Sequence, residues 1–93
     1  MQEIINKLVN YEGTYKPLTK FGNETKNAEV VIFENGQILK CYDTIIAIKL
    51  NNNTYLTKYW DYSTTTGFYR NNFLNETKKE TLAKINNKIY KLI

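Results

Sequence analysis

The sequence predicts an α+β domain: a small antiparallel β-meander of three main strands plus a C-terminal strand, packed with a short N-terminal helix and two short helices after the third strand. Three observations carry that expectation. Asn35-Gly36 stands between the β-rich runs of "AEVVIFENGQILKCY", a strong short-range hairpin signal. Ser63 to Thr66 supplies hydroxyl N-caps ahead of Tyr69/Phe73 and Arg70/Leu74 at i, i+4 spacing, which predicts a helix. Thr77-Lys78-Lys79-Glu80 has the S/T-x-x-E form of a capping box and opens a second helix.

In chain order, "EIINKLVN" (Glu3 to Asn10) places Ile4, Ile5, Leu8 and Val9 on one stripe of a short helix, with Gly13 as its stop. Residues 14–27 are polar and contain the sole Pro. They read as a loop with room for a short strand around Tyr15. A two-residue turn at Asn35-Gly36 pairs Glu34 with Gln37, Ile32 with Leu39 and Val30 with Cys41, and the uncharged Val30, Ile32, Leu39 and Cys41 form a core face. The strand then continues through "YDTIIAIKL", turns at Asn51 to Asn53, and returns as "TYLTKYW". Pairing Leu50 with Thr54 puts Ile46, Ile48, Leu50 and Leu56 on one face. Inward parity is odd at Leu39 and Cys41 but even here, so a β-bulge or sharp bend is expected near Tyr42 to Thr44. Trp60, Phe73 and Leu74 pin the first helix to the sheet. Leu82 and Ile85 are the expected buried positions of the second, with Glu80 and Lys84 as an i, i+4 ion pair. "KIYKLI" (Lys88 to Ile93) reads as the terminal strand. One domain over 1–93 follows: helix and loop (1–27), meander (28–60), helical segment (63–86) and terminal strand (87–93).

The composition narrows the chemistry. There is no His, so the commonest general base and metal ligand is missing, and the single Cys41 can form neither an intramolecular disulfide nor a Cys–His pair. The four glycines are isolated and make no phosphate loop. The register above brings Asp43 and Asp61 close together at one end of the second hairpin, where paired carboxylates could share catalytic roles or a cation. The simpler reading gives each Asp a local bond in its own turn. The expectation is a non-enzyme with no cofactor and no metal. The lone Cys, an N-terminus without signal-peptide features and the lack of a long apolar run lead to an expectation of cytoplasmic residence away from membranes.

Charge is uneven. Residues 1–67 carry seven Lys and seven acidic residues. The net charge of +4 therefore arises in 68–93, from Arg70, Lys78, Lys79, Lys84, Lys88 and Lys91 against Glu76 and Glu80. Such a patch suits nucleic acid or a nucleoprotein surface, and equally a solvated helix face. Aromatic residues and Arg are enriched at interaction hot spots, which marks Tyr59, Tyr62, Phe68, Tyr69 and Arg70 as the candidate partner-binding residues. The basic residues Lys78, Lys79, Lys84, Lys88 and Lys91 form the candidate basic patch.

"YDTIIAI", followed by "YWDYSTTTGFYRNNFL", resembles a family of small bacteriophage and prophage proteins. Their shared pattern is roughly Y-D-T-x-[VI]-A, a strand-like insert, W-x-Y-S-x-T-T, then F-L. It is matched here by Tyr42, Asp43, Thr44, Ala47, Trp60, Tyr62, Ser63, Thr65, Thr66, Phe73 and Leu74. The resemblance covers about residues 28–93. Several relatives carry an Arg-His pair where this chain has Phe68-Tyr69, so any chemistry of that pair does not transfer. The resemblance implies an accessory role in a bacterial host, through binding a host or defence protein. Anti-CRISPR inhibition of a guide-RNA-loaded effector is the form that suits a basic protein. Direct nucleic-acid binding is the alternative.

Overall fold

A computed structural model describes residues 2–8, 14–20 and 23–93; for 14–20 and 23–27 it describes the backbone alone. The elements are α1 (Gln2–Asn6), β1 (Thr14–Lys20), β2 (Asn23–Phe33), β3 (Gly36–Cys41), β4 (Thr44–Leu50), β5 (Asn53–Leu56), α2 (Thr64–Leu74), α3 (Lys78–Asn86) and β6 (Tyr90–Leu92). The strands form one sheet in sequential order. β1 to β5 pair antiparallel, and β6 runs parallel to β5. A parallel neighbour needs a long crossover, and α2 and α3 provide it. The α+β class is as expected, with six strands rather than four.

The two extra strands have separate origins. The expected loop at 14–27 is instead β1 and the first half of β2, paired from Thr14↔Ile32 to Lys20↔Asn23 with a register shift between Pro17 and Thr19. Pro17 reads as a breaker, yet β1 is an edge strand, where a missing N–H costs no ladder bond. The other extra strand comes from dividing the expected continuous run at 37–50. Tyr42 and Asp43 have φ of 51° and 63°. Positive φ at both central residues matches a two-residue I′ hairpin turn. The parity change expected near Tyr42 to Thr44 has two sources: this turn, and a bulge inside β4. Leu39 pairs with Ala47 but Lys40 pairs with Ile45, which leaves Ile46 as the extra residue. Ile46 and Ala47 consequently sit in the same core cluster.

Two registers differ from the expected ones. The first hairpin turns at Glu34-Asn35, pairing Phe33 with Gly36 and Val30 with Leu39. That is a shift of two in summed register, so the faces are unchanged: Val30, Leu39 and Cys41 still share the core beneath α2. Gly36 is needed for close approach, since a Cβ there would lie 2.1 Å from the Lys49 carbonyl oxygen and 2.7 Å from Leu8 Cδ2. The β4–β5 turn is Asn51-Asn52, with Leu50↔Asn53 and Ala47↔Leu56. This shift of one moves Leu56 away from Ile48 and Leu50 to the opposite face.

Both faces of the sheet are covered. On one, Tyr69, Phe73 and Leu74 of α2 pack on Val30, Leu39, Ile46, Ala47 and Leu56, with Trp60 and Ile85 at the margin. On the other, Leu8, with Ile4 and Ile5 of α1, packs on Val31, Ile38, Ile48, Leu50 and Tyr55. The expected helix at 3–10 is shorter, and Val9, Asn10 and its stop at Gly13 lie outside the described residues. Ser63 caps α2 by accepting from Thr66 N, and Thr77 and Glu80 form the expected capping box of α3. Asn75 and Lys88 take left-handed conformations, and Glu76 N donates to Asn71 O just as Ile89 N donates to Lys84 O, closing both helices in Schellman style. One core assignment is corrected. Leu82 is exposed, and the fully buried residue of α3 is Thr81. Its hydroxyl donates to Glu76 Oε2 at 2.7 Å.

Candidate functional site

The bulge in β4 begins the site. An extra residue leaves strand carbonyls without ladder partners, and buried carbonyls require donors. Thr57, just past β5, supplies them: its backbone N–H donates to Ile46 O at 3.1 Å, and its hydroxyl to Ile45 O at 2.6 Å. The same hydroxyl accepts from Tyr59 N at 3.2 Å. Thr57 thus ties the start of the 58–62 turn to the bulge. Trp60 N→Thr57 O and Tyr62 N→Tyr59 O, both 3.1 Å, close that turn and bring Tyr59 and Tyr62 together. Their rings meet edge to face with centroids 6.2 Å apart.

Arg70 fixes the far side of the turn. Its Nη1 donates to Trp60 O at 2.7 Å and to Asp61 Oδ1 at 3.2 Å, and its Nη2 to Asn71 Oδ1 at 3.0 Å. The guanidinium lies 5.2 Å from the Trp60 ring centre. It packs beside Gly67, where a Cβ would meet Nη2 at 3.4 Å, an ordinary van der Waals contact. Arg70 Nε is buried with no acceptor, so the fit satisfies most of the fork but not all of it. Lys78 Nζ contacts Asp61 Oδ2 at 2.7 Å. The Lys78 hydrogen bond foremost holds the Asp61 carboxyl below its usual range; burial, the next largest effect, opposes it, and the Arg70 hydrogen bond adds to the lowering.

Between this turn and the tip of the β3–β4 hairpin lies a cleft of about 480 Å³, lined by Cys41, Tyr42, Thr44, Ile46, Tyr59, Tyr62 and Thr66. Cys41, Ile46 and Thr66 are buried, while Tyr42 is 55% exposed and Tyr62 74% exposed. Among the described residues, no charged side chain lines the cleft. Burial pushes the Cys41 thiol up to about 11, so it stays protonated and non-nucleophilic at neutral pH. Tyr42 holds a conformation that bulky residues rarely adopt, and backbone strain of this kind clusters at functional sites.

The sequence-derived candidates separate accordingly. Tyr59 and Tyr62 belong to the cleft, and Phe68 is exposed on α2 outside it. Tyr69 and Arg70 are each only 1% exposed and cannot meet a partner; Tyr69 is core and Arg70 positions the turn. Of the candidate basic residues, Lys78 is engaged by Asp61 and Lys84 by Glu76 at 2.8 Å, and Lys79, Lys88 and Lys91 are exposed with no ion pair among the described residues. Asp61 is held by its two cations, whereas Asp43 occupies the hairpin turn. Among the described residues, no group of three or more His, Cys, Asp or Glu could hold a metal ion, and no helix is long and apolar enough to cross a membrane. Tyr42 and Thr57 were not among the candidate site residues from sequence; the parity switch after Cys41 was the available signal for Tyr42.

Fold and cleft together define a small α+β domain with a tyrosine-rimmed cleft beside its main helix. The chain belongs to a family of unknown function (DUF8033), whose model matches residues 9–90. No curated protein and no solved structure matches it significantly.

Proposed function

We propose that this chain is a non-enzymatic binding protein that grips a partner protein through the tyrosine rim. The observation that carries the reading is the convergence of Tyr42, Tyr59 and Tyr62, from two separate turns, on one cleft whose described lining residues are uncharged. Exposed Tyr supplies large contact area at low entropic cost and is enriched among hot spots. The sharper form rests on the resemblance to bacteriophage proteins: a phage-encoded accessory protein, acting in the host cytoplasm on a host or defence machine, as an anti-CRISPR-type inhibitor of an RNA-guided effector. The test is capture of partners from bacterial lysate by the tagged chain, with and without nuclease. A partner retained after nuclease and lost on Tyr59→Ala/Tyr62→Ala supports the reading. Retention unaffected by that double substitution overturns it.

A second reading, nucleic-acid binding, is favoured by the exposed Lys79, Lys88 and Lys91 on a chain of net charge +4. It predicts recovery of nucleic acid alone, released steeply by salt.

A further inference from the structure

We infer that the cleft seats one uncharged aromatic side chain of the partner, held among Tyr42, Tyr59 and Tyr62 over a floor of Cys41, Ile46 and Thr66. The inference rests on the binding reading above and names the chemistry of the occupant. Charge complementarity comes first. A carboxylate, ammonium or phosphate entering the cleft would lose water and find no opposite charge among the described lining residues. Of the charged residues around the rim, Asp61 contacts Arg70 and Lys78, Lys58 lies 5.1 Å from the Tyr59 ring centre, and Asp43, in the hairpin turn between Tyr42 and Thr44, is exposed and outside the lining. A nucleobase would bring a phosphate with it, yet Lys79, Lys88 and Lys91 are all absent from the lining. The space, about 480 Å³, is ample for one aromatic side chain with its flanking peptide groups.

The rim favours a ring over an aliphatic group. Tyr59 and Tyr62 already form an edge-to-face pair with an interplanar angle of 72°, and a third ring can extend it through the same quadrupolar preference. Among the described residues, the phenol groups of Tyr42, Tyr59 and Tyr62 donate no hydrogen bond, so they remain available to the peptide groups flanking an inserted side chain. Tyr42 is held at a φ of 51° where Asn or Gly would sit with less strain, which fits a side chain required at the rim.

The test uses the full chain and small probes followed by NMR. N-acetyl-phenylalaninamide should shift Thr44, Ile46 and Thr66 saturably with a Kd of roughly 1 mM, as expected for a fragment of this size. Tyr62→Ala, an exposed substitution checked for folding by circular dichroism, should weaken this at least fivefold. N-acetyl-leucinamide and benzoate should bind at least tenfold more weakly. Equal binding of the leucine amide, tighter binding of adenosine monophosphate, or no saturable shift would each overturn the inference. If no probe saturates but Tyr59→Ala/Tyr62→Ala still abolishes nuclease-resistant capture, the binding reading stands and the aromatic occupant falls. If the phenylalanine amide saturates while capture ignores the double substitution, the binding reading falls and takes the partner assignment with it.

Discussion

Arg70→Met tests whether one buried guanidinium holds the cleft in shape. Methionine keeps an unbranched stem in the space beside Gly67 but removes the donors to Trp60 O, Asp61 and Asn71. Hydrogen bonds made by a charged group contribute about 1.5–3 kcal/mol each. Two effects offset the loss. The cost of burying the cation disappears along with its unpartnered Nε, and Asp61, 36% exposed at its side chain, keeps Lys78. The expected net loss is about 2–3 kcal/mol, less than for a fully stranded buried charge. A domain of this size has about 5–10 kcal/mol in total, so urea unfolding should shift markedly and Tm should fall by roughly 10–20 °C. Trp60 is the only tryptophan, so its emission reports this turn directly and should move to the red. Arg70→Lys should fall between the two, because an ammonium cannot reproduce the fork. Stability within about 0.5 kcal/mol of the parent, a margin typical of ordinary surface substitutions, with unchanged Trp60 emission, would refute this role.

Three further outcomes follow. At Tyr42, the positive φ inverts the usual ranking: Tyr42→Gly should be more stable than Tyr42→Ala by about 1 kcal/mol in urea titration, and the opposite order would remove the case for strain. Glu76 feels burial that raises its pKa, but hydrogen bonds from Lys84, Tyr90 and Thr81 outweigh it and leave the carboxyl low. Its stabilising contribution is therefore complete above the unfolded value of about 4.3 and is lost as pH falls through the lower folded value. Glu76→Gln should lower stability at pH 7 and flatten that acid limb; an unchanged limb would contradict the assignment. Cys41, with a pKa of about 11, should react with iodoacetamide at pH 8 roughly a hundredfold more slowly than a free thiol of pKa near 8.5, and alkylation at the free-thiol rate would show that burial does not control it.

The helical half was legible because its signals are local. Ser63 and the Thr77/Glu80 box act within one turn of chain, and both caps form as the residue types require. Strand register depends on partners distant in sequence, and there the reading erred. Asn35-Gly36 suggested a two-residue turn made by that pair, but Gly36 serves close packing against β4 and Leu8, and the turn is Glu34-Asn35, one residue earlier. Pro17 disguised an edge strand. The bulge at Ile46 was visible only as a parity conflict, and its cause, Thr57 reaching back to Ile45 and Ile46, has no sequence signature. For the site, Tyr59 and Tyr62 were legible as exposed aromatics. Arg70 and Tyr69 share their composition signal, and only helix phase separates them: both turn inward on α2, while Phe68 turns out.

The most direct measurement compares nuclease-resistant partner capture, at fixed physiological salt, by the parent chain, by Tyr59→Ala/Tyr62→Ala and by Lys79→Gln/Lys88→Gln/Lys91→Gln. Loss of a hot-spot pair should reduce affinity at least tenfold, about 1.4 kcal/mol, while the lysine triple should stay within about twofold of the parent. The reverse pattern, capture indifferent to the tyrosines and abolished by removing the lysines, would contradict the cleft as the binding surface.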